Sequence, residues 1–251
     1  MPKNKRMRLF AGPNGSGKSS LFREFQKKYK TGFFVNADEF EKKLASSGFI
    51  DLNEIGIEAD ESALAIFKKT KEAESLLAKA KSKGVVIDFK IINNLIVDKE
   101  KDAHSYEASY AAAFVRYLLI KNNKSFSFES VMSHPSKLKE IKEANKKGYK
   151  TYLYFVCTED PLINISRIEN RVYKGGHPVA KAKIRSRYND SLKNLAEAIT
   201  LSYRAYLFDN SSQKQELIAE VFEGDKFKLL KDELPEWFIS NVLDKLEINN
   251  K

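Results

Sequence analysis

The residues best suited to chemistry lie in one octapeptide, Gly12-Pro13-Asn14-Gly15-Ser16-Gly17-Lys18-Ser19. At the spacing Gly-x-x-x-x-Gly-Lys-Ser, a backbone can turn sharply and bring its N–H groups against phosphate oxygens. Glycine serves there because a side chain would obstruct both the turn and the approach. A helix opening at Lys18 presents its positive end to the same anion. Lys18 would reach the β- and γ-phosphates of a nucleotide, Ser19 would hold Mg²⁺ through its hydroxyl, and Ser20 extends the same first turn. Met7 to Ala11 reads as a short buried strand, and Lys18 to about Tyr29 as a helix. Strand directly before and helix directly after is the context this motif requires. Residues 12–20 therefore predict a site for Mg·ATP or Mg·GTP, without naming the group that receives the phosphoryl.

An acceptor hydroxyl needs a base, and three carboxylates stand at strand ends. Asp38 follows the short strand Phe33-Phe34-Val35 and could take a proton from an attacking hydroxyl, an effect worth ~10²–10⁴-fold. It could equally cap the helix that follows, with Glu41 three residues on. Asp88 closes the apolar run Val85-Val86-Ile87 in the manner of a metal-holding acid. Glu129 closes Phe126-Ser127-Phe128 and is followed by Ser130. Periodicity alone leaves Asp88 and Glu129 equivalent.

Arg167 and Arg171 are four residues apart, so one helix face carries both. A guanidinium grips a transferring phosphoryl group with two parallel donors and can contribute ~10³–10⁵ in rate. Gly175-Gly176-His177-Pro178 breaks the helix just beyond and suits the hinge of a lid. The plainer alternative is a helix face laced by salt bridges to Glu169. No Cys or His lies at metal-ligand spacing from His177, which argues against zinc. The absence of Gly-x-Ser-x-Gly argues against a serine hydrolase.

The elements that must position these residues alternate. Helices are expected from about Asp38 to Ser47, Asp60 to Ser82, Tyr106 to Lys121, Pro135 to Lys147, Asp160 onward, and Lys181 to Thr200. Strands are expected over Ser125–Glu129, Thr151–Val156 and Ala205–Phe208, with Leu217–Phe222 a final edge strand. The run Val85 to Val97 fits either a strand or a buried helix. Alternation of this kind predicts an α/β fold with a mainly parallel sheet flanked by helices. A single domain over 1–251 is expected, ending in a helical latch, 226–251, that carries the sole Trp237.

Composition narrows the class. Hydrophobic residues make up 42% of the 251 residues and charged ones 31%, as in soluble globular proteins. One cysteine, Cys157, cannot form an internal disulfide. No run approaches the ~20 apolar residues of a membrane span, so a cytoplasmic protein with no membrane partner is expected. The net charge of +10 comes from scattered lysines, which favours a solvated surface over dedicated nucleic-acid binding.

Several segments together resemble the zeta toxin family of P-loop kinases. They are Ala11 to Ser19, Asn36-Ala37-Asp38-Glu39, Phe126 to Ser130, Arg171-Val172-Tyr173-Lys174-Gly175-Gly176-His177-Pro178-Val179, then Lys183-Ile184, Arg187-Tyr188 and Ser191-Leu192, and finally Phe208 to Ser211. The resemblance implies a kinase that moves the γ-phosphoryl of ATP or GTP to a hydroxyl of a UDP-N-acetyl amino sugar, often restrained by an antitoxin. It implies Lys18 as the loop lysine, Asp38 as the acceptor base, Glu129 with Ser130 on the substrate side, and Arg171 as the first lid arginine. Arg167, Arg185 and Arg187 are candidates for the second, and Arg167, His177 and Arg187 are placed with the nucleotide. Residues 51–103 match nothing in the family and are read as a helical insertion. A polynucleotide 5′-hydroxyl kinase and a non-transferring nucleotide switch are the rival readings.

Overall fold

The computed structural model describes residues 5–98 and 105–247. Its elements begin β1 (Arg6–Ala11), α1 (Lys18–Lys28), β2 (Phe33–Val35), α2 (Ala37–Ser47), β3 (Phe49–Asp51), α3 (Glu61–Lys68) and α4 (Lys71–Lys81). There follow β4 (Phe89–Ile92), β5 (Leu95–Asp98), α5 (Ser105–Lys121), β6 (Phe126–Ser130), α6 (Ser136–Lys146) and β7 (Lys150–Cys157). The last are α7 (Pro161–Tyr173), α8 (Lys181–Lys193), α9 (Leu195–Leu201), β8 (Arg204–Asp209), β9 (Glu216–Phe222), β10 (Lys226–Leu229) and the short α10 (Glu236–Phe238). The chain divides into two compact units, one drawn from 1–31 and 127–251, the other from 32–126.

The first unit is built on a sheet with strand order β10-β9-β8-β7-β1-β6. Its centre is parallel, with Leu9 opposite Leu153 and Leu153 opposite Ala205. β9 and β10 add on antiparallel. β7 takes its place because Thr151 to Val156 is β-branched or aromatic apart from one Leu, the composition a pleated surface accommodates best. β9 is not the edge strand the sequence suggested, because β10 covers it. The expected latch therefore starts later than 226, at the turns that bury Trp237 and Phe238; its residues 248–251 lie outside the described part. The helix expected over Lys181–Thr200 is two helices meeting at Asn194, whose side-chain amide donates to the Met132 carbonyl at 2.9 Å.

The second unit holds β2, α2 to α5 and a three-stranded antiparallel sheet ordered β3-β5-β4. Helix α2 starts where the Asn36 side chain accepts from the Asp38 amide at 2.8 Å, and stops at Gly48 with φ 77°. The helical stretch expected over Asp60–Ser82 is broken by Thr70, whose hydroxyl caps α4 at the Ala73 amide. Within the Val85–Val97 run, the chain from Phe89 on is a β4–β5 hairpin, turned by Asn93 and Asn94 at φ 50° and 62°. Two left-handed residues match the right-handed twist of the strands they join. The family-unmatched segment thus carries a small sheet besides its helices, and its residues 99–103 lie outside the described part. Phe67, Phe89, Tyr110 and Phe114 form the core of this unit.

Candidate active site

The phosphate loop joins β1 to α1, and its shape is dictated by how closely it is packed. A Cβ on Gly12 would lie 2.0 Å from the Val156 carbonyl oxygen, and φ there is +136°. A Cβ on Gly17, at φ +106°, would lie 2.4 Å from the side-chain nitrogen of Asn210. Side chains are excluded at both positions by contact and by backbone conformation alike. Two asparagines then hold the loop. Asn210 Nδ2 donates to the Ser16 carbonyl at 2.7 Å. Asn164 Nδ2 donates to the Asn14 carbonyl at 2.7 Å, while its own oxygen accepts from the Thr158 hydroxyl. Gly17 gives α1 no side-chain cap, as suits a helix whose first amides face an anion.

Within this frame Lys18 is only 6% exposed. Its Nζ donates to the Pro13 carbonyl at 2.8 Å and stands 3.9 Å from Glu129 Oε1. The Ser19 hydroxyl reaches Glu129 Oε2 at 2.8 Å and Oε1 at 3.1 Å. Lysine, hydroxyl and carboxylate therefore converge at the C-terminal ends of β1 and β6, where open α/β sheets gather their ligands. The Ser16 hydroxyl is buried in the loop and lacks a hydrogen-bond partner among the described residues. Ser130 Oγ accepts from the Met132 amide at 3.0 Å. Ser20 Oγ accepts from Arg23 on its own helix.

Helices α7 and α8 bring up the arginines. Asp160 caps α7 at the Leu162 amide and Pro161 occupies its first turn. A small core of Ile165, Ile168 and Ile184, with Val172 and Val179, ties α7 to α8. Arg167 and Arg171 line an open cleft of about 420 Å³ together with Asn170, Lys174, Gly175 and Gly176. Arg171 Nη2 donates to the His177 carbonyl at 3.1 Å, and the Gly176 amide returns to the Arg171 carbonyl at 2.9 Å. Arg167 Nη2 donates to the Ser212 carbonyl at 3.3 Å, and its Nη1 is buried without a partner among the described residues. Glu169 pairs with Lys181 at 2.7 Å, so the arginine face is not the salt-bridge ladder weighed as its alternative. Of the three candidates for the second lid arginine, Arg187 reaches the phosphate loop: its Nη1 donates to Asn14 Oδ1 at 3.3 Å. Arg185 is exposed.

Cys157 ends β7 beside the loop. Burial pushes its thiol well above the usual range, so it is a neutral packing residue and offers no thiolate. The same burial raises the Tyr188 phenol, which donates to the Thr158 carbonyl at 2.6 Å.

No protein-family model matches the chain. An uncharacterized protein of Haemophilus influenzae is 29% identical over 104 residues, 41% of this chain and 74% of that protein. A structure of the PezAT chromosomal toxin-antitoxin system of Streptococcus pneumoniae superposes with a TM-score of 0.51 at 13% identity, covering 96% of this chain and 79% of that one. The AvrRxo1-ORF1:AvrRxo1-ORF2 structure with sulphate ions gives 0.55 at 13% identity, covering 98% of this chain, and the native complex 0.56 at 15%, covering 97%. This chain spans 66% of the length of the AvrRxo1 chain in each. The chain shares its fold with the PezAT and AvrRxo1 structures.

In this fold the sequence-marked residues fall into two sets. Lys18, Ser19, Glu129 and Arg187 are gathered at the phosphate loop, with Arg167, Arg171 and His177 in the α7–α8 hairpin. Asp38 belongs to the second unit, exposed at the second position of α2, and the cap of that helix is Asn36. The capping explanation for Asp38 is therefore replaced by a different residue. Asp88 is exposed in the irregular stretch before β4 and ends no strand. Sequence reading assigned no role to Asn164 and Asn210, the two amides that fix the loop. Asn210 carried a signal, since it lies in the family-like segment Phe208 to Ser211. Asn164 carried none beyond being a polar residue on the buried side of a helix. No helix among the described residues is long and apolar enough to cross a membrane.

Proposed function

We propose that this chain is a kinase that transfers the γ-phosphoryl of ATP or GTP to a hydroxyl of a UDP-N-acetyl amino sugar, held in check by an antitoxin protein. The observation that carries the reading is the convergence of Lys18, Ser19 and Glu129 on a glycine loop braced by Asn164 and Asn210. The donor set suits Mg²⁺, which prefers a hydroxyl and one or two carboxylates and takes its remaining ligands from phosphate and water. Ser19 and Glu129 would hold it, and it would supply positive charge against the phosphates. Among the described residues no group of three or more His, Cys, Asp or Glu forms an all-protein metal cage.

In this reading Lys18 holds the charge that builds on the oxygen between the β- and γ-phosphorus as that bond breaks. Arg187, already at the loop, and Arg171, on the hairpin, neutralise the phosphoryl in flight. Asp38 takes the proton of the attacking hydroxyl as the new P–O bond forms, and an exposed carboxylate free of capping duty suits that work. The family resemblance supports the UDP-sugar, and the toxin-antitoxin systems that share the fold support the antitoxin.

The test is incubation of the pure protein with γ-labelled ATP and, separately, UDP-N-acetylglucosamine, other UDP-sugars and 5′-hydroxyl oligonucleotides. Label on a UDP-amino sugar supports the proposal. Label on oligonucleotide alone would make the chain a polynucleotide kinase. Hydrolysis indifferent to every acceptor would make it a nucleotide switch.

A further inference from the structure

The two faces of the first unit's sheet have opposite character. On one, Leu9, Leu153, Ala205 and Val221 stand in register and are no more than 1% exposed. On the other, the register runs Arg8, Tyr152, Arg204, Phe222, Lys226 across five strands. Two residues further along, the next row on that face is Phe10, Tyr154, Tyr206, Glu220, Lys228. Helix α1 covers the β1 end, where Phe22 and Phe25 pack on Phe10. Phe25 packs as well on Tyr154, which is buried; beyond it Tyr152, Arg204, Tyr206 and Phe222 are partly exposed, and Lys226 and Lys228 are exposed.

The side chains on this face are ordered against one another. Phe10 and Tyr154 stack with centroids 4.7 Å apart and planes 10° from parallel, and Tyr154 and Tyr206 continue the stack at 5.0 Å and 7°. The Arg204 guanidinium lies 4.5 Å from the Phe222 ring centre, and Arg8 lies 5.7 Å from that of Tyr152. Lys150 stands 4.4 Å from the Tyr203 ring centre at the start of the same strands. The two rows carry four cations against one carboxylate, Glu220, with Lys226 also pairing with Glu223 at 2.5 Å.

Under α1 the rings serve helix packing, but beyond it Tyr152, Tyr206 and Phe222 stand with Arg204 where no helix ring contact reaches them among the described residues. Rings that accept a base on their outer face, interleaved with cations that accept phosphate, match the chemistry of a single-stranded polynucleotide. We propose that this face binds single-stranded RNA or DNA without reading its sequence, the base stack continuing on Tyr206 and the phosphates lying along Arg204 and Lys228. This surface is separate from the phosphate loop. Arg8 precedes Gly12 by four residues, roughly 13 Å along a strand, and Arg204 opens β8 whereas Asn210 follows its far end. The overall charge of +10 draws a polyanion to the protein without fixing where it lands; the ordered face supplies the place.

The test is fluorescence anisotropy of fluorescein-labelled oligouridylate and oligothymidylate, about a dozen nucleotides long, with the full chain at low salt. Binding should weaken with salt at a slope of about −0.7 per phosphate contacted. Tyr206→Leu, which keeps an apolar residue in the strand, should weaken it roughly 5- to 150-fold, the range for one base–aromatic stack. Lys228→Glu, on an exposed edge where folding is indifferent, should weaken it and flatten the salt slope by about one contact. Saturating Mg·ATP should leave the oligonucleotide bound. Absence of binding to both oligomers would overturn the proposal, as would displacement by Mg·ATP, which would put the strand on the phosphate loop. Polyglutamate binding as tightly as the oligomers, unaffected by Tyr206→Leu, would overturn it in favour of an acidic protein partner.

Discussion

The Ser19 hydroxyl donates to both oxygens of Glu129, at 2.8 and 3.1 Å, across 110 residues of sequence. The pair joins the first turn of α1 to the end of β6, and it places a carboxylate where a phosphate-loop serine would share a metal ion. The family resemblance put Glu129 on the acceptor side; its contact with Ser19 argues for the metal side, which is the role proposed above.

Glu129→Gln keeps size and hydrogen bonding but removes the charge. Transfer should fall ~10²-fold or more, and the Mg²⁺ concentration for half-maximal rate should rise. A Mg²⁺ titration of the labelled-ATP assay reads both. An unchanged Mg²⁺ requirement with a raised KM for the acceptor would return Glu129 to the substrate side.

Asp38 and Asn36 should separate cleanly. Asn36→Ala removes the α2 cap and should cost about 1 kcal/mol of stability, visible as a lower melting temperature with transfer largely kept. Asp38→Asn should leave melting in place and lower transfer ~10²-fold or more. A fall in melting temperature for Asp38→Asn without loss of rate would remove Asp38 from the chemistry.

Much of this arrangement was legible because it is local. The Gly12–Ser19 spacing, the β-branched run Thr151 to Val156 and the stop at Gly48 each follow from backbone preferences of the residues themselves. What could not be read depends on partners distant in sequence. Asp88 and Glu129 look alike as the ends of apolar runs, and only tertiary placement puts Glu129 on Ser19. The Asn93-Asn94 turn is hidden in the sequence because the largely apolar residues on either side mask two positions that tolerate left-handed backbone. Arg185 and Arg187 are two residues apart and equivalent in composition; the helix directs one to Asn14 and leaves the other exposed.

Asn210 should act on the loop rather than on the nucleotide. Asn210→Ala deletes the bond to the Ser16 carbonyl and loosens the packing around Gly17. Nucleotide affinity, measured by calorimetry, should drop about tenfold, the value of one or two lost hydrogen bonds at ~1 kcal/mol each. Gly17→Ala, which drives a methyl into Asn210, should do more damage than Asn210→Ala. In the double variant, part of that damage should be recovered because the obstacle is gone. Strictly additive losses would mean that the strain of φ +106°, not the asparagine, forbids a side chain there.

The two arginines of the hairpin should differ in kind. Arg187 bonds to Asn14 in the phosphate loop, whereas Arg171 bonds to the His177 carbonyl at the end of its own turn. Arg187→Lys keeps the charge but loses the planar fork. It should therefore lower kcat far more than it raises the KM for ATP, since a point charge still attracts the ground-state nucleotide. Arg171→Lys loses in addition the contact that pins the Gly175-Gly176 turn. It should likewise cut kcat more than affinity, and it should raise protease cleavage at that turn. Limited proteolysis beside steady-state kinetics distinguishes them. Equal loss of binding and rate in Arg171→Lys would assign that guanidinium to holding nucleotide alone, and unchanged kcat in Arg187→Lys would remove it from the transition state.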